Sequence, residues 1–128
     1  MRKKTVCLLL FIVLWLVPLV CYSYDDVNEK TNCKLTLTFL DEDGVAITPN
    51  QSSYTIVDVT SGTVIKASTN FTPTSNVHTI NISSIENALI SQTEAYEKHR
   101  VTITINYGAS KVSTTDYVYR IRNLPDVD

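Results

Sequence analysis

Apolar and polar residues alternate with a period of two over most of this chain. Cys33, Leu35, Leu37 and Phe39 alternate with Lys34, Thr36 and Thr38, the pattern of a strand with one buried face. The run Asp41-Glu42-Asp43-Gly44 then predicts a turn, with Gly44 supplying the left-handed backbone position. A short second strand is expected over residues 45–48 and a loop over 49–53. Residues 54–60 and 63–68 flank Ser61-Gly62, which predicts a hairpin of β-branched strands around a tight turn. A polar loop over 69–76, containing Pro73, leads to a strand over 77–82. The strongest pair closes the chain. Val101, Ile103, Ile105 and Tyr107 alternate with Arg100, Thr102, Thr104 and Asn106, residues 108–111 turn, and Tyr117, Tyr119 and Ile121 alternate with Val118, Arg120 and Arg122. Pro125 ends that strand, because proline cannot donate to the ladder.

Two segments depart from this period. Ser83-Ser84-Ile85-Glu86 has the Ser-x-x-Glu spacing of a capping box, so a helical turn reaching Ile90 is expected, burying Ile85 and Leu89. Residues 24–32 are polar and acidic, and are expected to form a flexible linker. The whole predicts an all-β domain over residues 33–125, a sandwich of about seven strands with one helical turn before the penultimate strand.

The N-terminus follows another rule. Arg2, Lys3 and Lys4 precede an apolar run from Val6 to Cys21, broken by Pro18, and polar sequence begins at Ser23. This is the layout of a secretory signal peptide over residues 1–23, cut after Ser23. The run falls short of the roughly 20 residues of a spanning helix. The product is therefore expected to be secreted, extracellular or periplasmic. Cys21 offers an alternative, lipid attachment, although Val20 before it is bulky for that chemistry. Lipidation or a retained leader would anchor the chain to a membrane through its N-terminus.

Cleavage changes the charge. The chain carries −2, and losing three leader cations gives −2 − 3 = −5. A mildly acidic, mixed surface argues against a nucleic-acid partner. The nearest approach to a basic cluster is Arg120 and Arg122 on one strand. Cleavage also removes Cys7 and Cys21, leaving Cys33 without an internal disulfide partner. Its thiol is read as buried and inert beside Leu35, Leu37 and Phe39, or as the site of an intermolecular disulfide.

The motifs point away from catalysis. No catalytic residue, metal ligand set or cofactor site is identified, and the chain is read as a non-enzyme. Asp41, Glu42 and Asp43 lack the spacing of a calcium loop. His78 and His99 are the only histidines, and have no companion ligands in the sequence. Glu94 and Glu97 have no evident cleft. Asn50, Asn70 and Asn81 begin Asn-x-Ser/Thr triplets, which a chain rich in these residues shows by chance. Candidate contact residues lie in loops at one end (Asn50, Ser53, Asn70, Phe71 and Asn76) and in a tyrosine strip that includes Tyr117 and Tyr119. The expected partner is a protein or carbohydrate surface, with self-association through edge strands as a further possibility.

Seven strands with a helical crossing before the sixth resemble an immunoglobulin-like sandwich, without the core disulfide and tryptophan of antibody domains. Ala95-Tyr96 is similar to the tyrosine corner of that fold, with Lys98 where a cysteine would follow. Glu97-Lys98-His99-Arg100, the strand ending Tyr107-Gly108 and the strand ending Arg122-Asn123-Leu124 resemble small immunoglobulin-like domains of bacteriophage tail, baseplate and head-decoration proteins. The resemblance implies an assembly or surface-binding module without enzymatic activity. The expected function is a secreted or cell-surface binding or adhesion module, the alternative a structural subunit of an extracellular or phage-like assembly. Trp15 is the sole tryptophan. Processed protein recovered from outside the cytoplasm should therefore show tyrosine emission alone, and a tryptophan band in its fluorescence would mean a retained leader.

Overall fold

The computed structural model describes residues 24–124. The expected signal peptide and the candidate lipidation position Cys21 lie outside those residues. Seven strands form, in chain order β1 (Asp25–Asn28), β2 (Cys33–Thr38), β3 (Gln51–Asp58), β4 (Val64–Phe71), β5 (Val77–Ile82), β6 (Tyr96–Tyr107) and β7 (Lys111–Arg122), with no helix among the described residues. They make a five-stranded sheet in the order β1-β7-β6-β3-β4 and a two-stranded sheet of β2 and β5.

The two sheets share one core, so the architecture is β-sandwich-like. Ile56 from β3, Val101 and Ile103 from β6 and Tyr119 and Ile121 from β7 meet Ile80 and Ile82 from β5. Alternation decides which residues enter. On β6 the positions Glu97, His99, Val101, Ile103 and Ile105 are buried, while those between them face outward. β2 alternates in the same way, its inward row Cys33, Leu35 and Leu37 packing on the core from the smaller sheet.

Four sequence expectations change. Residues 24–32, expected as a flexible linker, contain β1, which pairs in parallel with β7, Asp25 opposite Tyr119 and Asn28 opposite Arg122. Its one apolar residue, Val27, packs against the core, and Asp26 accepts from Arg120 Nε and Nη2 at 2.8 and 3.1 Å. Residues 45–48 form no strand: a single bridge joins Leu40 to Ala46. Asp41 folds this stretch back on itself, its Oδ1 accepting from the Asp43 and Val45 amides at 3.0 and 2.8 Å, and Pro49 has no N–H to extend a ladder.

The helical turn over 83–90 is a sequence of turns instead. The capping-box bonds are both made: Ser83 N donates to Glu86 at 2.7 Å and Glu86 N to Ser83 Oγ at 3.3 Å. The segment stops at one turn because Asn87 is drawn into the core while Ile85 is left 83% exposed. Leu89 packs against the core as expected. Lastly, Tyr96 is no tyrosine corner. It lies on the surface with the Arg120 guanidinium 4.5 Å from its ring centre.

Asn87 joins three otherwise separate segments. Its Nδ2 donates to the Thr31 carbonyl at 2.8 Å and to Cys33 Sγ at 3.3 Å, and its Oδ1 accepts the Tyr119 hydroxyl at 2.9 Å. Asn87→Ala strands the tyrosine hydroxyl and the carbonyl in a dry site and should cost about 3 kcal/mol, while Ile85→Ala should stay within about 0.5 kcal/mol. Urea denaturation of the two variants checks the contrast.

Candidate anion-binding face

The outer face of the five-stranded sheet brings together residues that lie far apart in the chain. The β6–β7 register sets Tyr96 opposite Arg122, Lys98 opposite Arg120 and Arg100 opposite Val118. β1 adds Asp26 beside Arg120 and Asn28 beside Arg122. Eleven lysines and arginines occur in the chain, three of them at positions 2–4. Four of the remaining eight therefore share this one end of one face, although the chain as a whole is acidic.

Aromatic rings support the cations. Lys98 Nζ lies 4.8 Å from the Tyr24 ring centre, and Arg122 approaches Tyr96 from 6.0 Å, on the same ring that carries Arg120. Such contacts hold a cation without neutralising it. Arg120 alone among the four is paired with a carboxylate, and the hydrogen bond it donates to Asp26 holds its pKa above the ordinary value. Among the described residues, Lys98, Arg100 and Arg122 form no salt bridge. Three positive charges without a carboxylate partner, within a few strand positions of one another, make this end of the face locally positive.

The contact residues expected from the sequence go elsewhere. Asn50, Asn76 and the end of β4 gather at the opposite end, around the β6–β7 turn: Asn50 Nδ2 donates to the Gly108 carbonyl at 2.8 Å, and the Asn76 carbonyl accepts from Phe39 N at 2.8 Å. These asparagines staple loops to the frame. Ser53 and Asn70 are strand partners on β3 and β4. Phe71 packs on the core, stacked on His78 at 4.6 Å. The tyrosine strip dissolves: Tyr119 is buried, and Tyr117 is half-buried and donates to Asp25. Cys33 is a free, half-buried thiol against the Asn87 amide. The acidic turn faces the β6–β7 hairpin, where Glu42 takes Lys111 and the Tyr107 hydroxyl. The Lys111 hydrogen bond is the main reason its carboxyl falls to about 2.

The cationic face was missed because its two halves are some twenty residues apart in sequence. The signal that finds it is the hairpin register. Folding the chain about Gly108 places Lys98 and Arg100 beside the Arg120–Arg122 pair noted from sequence alone. A search against protein-family models, curated proteins and solved structures finds no match for this chain.

The two inward tyrosines generate a test of the packing beneath this face. Burial pushes the Tyr119 phenol well above its ordinary range. Burial, then the Asp25 hydrogen bond, pushes Tyr117 up to about 12. A raised folded pKa stabilises fully below the unfolded value of about 10, and that contribution is lost as pH rises through the folded value. In an alkaline titration followed by phenolate absorbance, these two tyrosines should ionise last, together with the loss of near-ultraviolet dichroism. All tyrosines ionising together near pH 10 in an intact fold would contradict the packing.

Proposed function

We propose that this chain is an exported, non-enzymatic binding module of immunoglobulin-like architecture, and that it grips an acidic polysaccharide on the outer face of β1, β7 and β6. The observation that carries the reading is the gathering of Lys98, Arg100, Arg120 and Arg122 with Tyr24 and Tyr96 on one open sheet surface. An open face suits an extended polymer, because it has no walls to exclude a long chain. Tyrosine rings offer flat surfaces for sugar rings, and the cations offer partners for carboxylate or sulfate.

Strand order supports the architecture. In an immunoglobulin sandwich the second and fifth strands share one sheet, and the third, sixth and seventh share the other. Here β2 pairs with β5, and β3, β6 and β7 are neighbours in the larger sheet. The basic start and apolar run of residues 1–23 support export. A second reading, a subunit of an extracellular or phage-like assembly, is favoured by one observation. An apolar hollow opens between β2 and the β6–β7 hairpin, lined by Leu37, Phe39, Ile103 and Ile105, where a strand from another chain could add.

Heparin and polygalacturonate are the probes, with single-stranded DNA as the competing polyanion. The protein should bind at least one polysaccharide at low salt. Lys98→Glu and Arg100→Glu should each weaken binding by about tenfold, while Lys34→Glu on the other sheet should leave it unchanged. No binding to either polysaccharide, insensitivity to both substitutions, or equal affinity for DNA would overturn the assignment.

A further inference from the structure

On the inner side of the same strand, the structure gathers a second set of residues. Asp58 lies directly opposite His99 across the β3–β6 ladder, and Glu97 is two residues before His99 on its inward row. Asp58 is 3% exposed, Glu97 7% and His99 fully buried. One donor atom from each lies within 4.8 Å of the others.

The hydrogen-bond accounting at this cluster is incomplete. Glu97 is engaged: it accepts from the Ile90 amide at 2.9 and 3.1 Å and from the Ser91 amide at 3.0 Å, and its Oε1 lies 2.6 Å from His99 Nε2. A carboxylate can only accept, so the proton of that contact belongs to the imidazole. Nε2–H donates, and in the neutral ring Nδ1 is left as a bare lone pair. Asp58 Oδ2 is engaged by the Ser61 amide at 2.6 Å and the Ser61 hydroxyl at 2.5 Å. Asp58 Oδ1 and His99 Nδ1 have no partner. Two acceptors on directly opposed residues, both out of water, with no donor between them, call for a cation.

We propose that Asp58 and His99 bind one divalent transition-metal ion, through Asp58 Oδ1 and His99 Nδ1, with Glu97 holding the far side of the imidazole. A carboxylate on the second ring nitrogen is the usual support of a metal-bound histidine, fixing its tautomer and raising its basicity. One imidazole nitrogen and one carboxylate oxygen suit Zn2+ or Mn2+ better than Ca2+ or Mg2+. Two ligands of a zinc ion, each about 2.1 Å from it, stand at most about 4.2 Å apart, a spacing close to the 4.8 Å within which one ligand atom from each of Asp58, Glu97 and His99 falls. Bound there, the ion ties the turn gripped by Asp58 to the 90–91 loop gripped by Glu97. It does so directly beneath Lys98 and Arg100, the neighbours of His99 on the outer face.

The test uses untagged, EDTA-treated protein. One equivalent of Zn2+ should bind by calorimetry and raise the melting temperature by about 5 °C, while Mg2+ should not. Asp58→Asn and His99→Gln should abolish the shift, and His78→Gln should keep it. Because buried variants can fail to fold, the unaltered protein supplies a second measurement. With two histidines in the chain, imidazole 15N spectra resolve each ring. His99 should show protonated Nε2 and bare Nδ1 without metal, and a shifted Nδ1 resonance with Zn2+. A doubly protonated His99 ring that ignores Zn2+, or a Zn2+ response confined to His78, would overturn the proposal.

Discussion

A single buried carboxamide fixes how the two sheets meet at one end of this molecule. Asn87 is fully enclosed, and a polar group in such a place is tolerated only when its bonds are made. Its side chain reaches the turn before β2, the β2 thiol and the β7 tyrosine. Its backbone N–H reaches back to the Ser83 carbonyl, and its own carbonyl accepts from Lys30 N. Sliding either sheet by one residue would break several of these bonds at once, at about 1–3 kcal/mol for each stranded group. The arrangement also turns the Cys33 sulfur toward a donor.

The second sheet has two strands where the first has five, so the apolar core is confined to the middle of the molecule. Polar groups finish the ends. Glycine is scarce, with three in the chain, and carboxylates do much of the turn-making that glycine would otherwise do. Asp41 bonds the amides of Asp43 and Val45, Asp58 that of Ser61, Glu86 that of Ser83, and Glu97 those of Ile90 and Ser91. Burial works against the charge of Asp58 and Glu86. In both, hydrogen bonds outweigh it and leave the carboxyl below its ordinary pKa, from Ser61 and Thr60 in Asp58 and from Lys66 and Ser83 in Glu86. The acidic character of the chain is thus in part an internal scaffold, and the outward-facing cations are correspondingly less balanced than the net charge suggests.

Strands with a sustained period of two were legible in the sequence: β2, β3, β5 and the β6–β7 pair all follow from alternation. What escaped was structure held by partners distant in the chain. β1 has one inward apolar residue, Val27, and so no period to detect. It is a strand because β7 offers an edge and Arg120 and Tyr117 receive its two aspartates. The capping-box bonds around Ser83 were legible, but not the fact that Asn87 would end the helix after one turn. Glu97 was set aside for want of a cleft and His99 for want of companion ligands, and nothing in the sequence near Asp58 links it to either. Because β6 begins at Tyr96, Glu97 and His99 continue the buried row of Val101 and Ile103, and the β3–β6 register sets Asp58 opposite His99.

That row makes β6 the decisive strand. Its odd-numbered residues from Glu97 to Ile105 are buried, and its even-numbered residues include Lys98 and Arg100 on the opposite face. A slip of one residue would exchange the two sets, burying two cations and exposing three aliphatic side chains. Burying an unpaired lysine or arginine costs several kcal/mol, so the cations oppose the wrong register as strongly as Val101, Ile103 and Ile105 favour the right one. The polar positions at the start of β6 therefore act on both sides of the strand. Outward, they concentrate positive charge; inward, Glu97 and His99 lock the strand to two loops. An outer surface that must hold cations close together in water needs a strand that cannot slide, and the inner polar residues help to supply that rigidity.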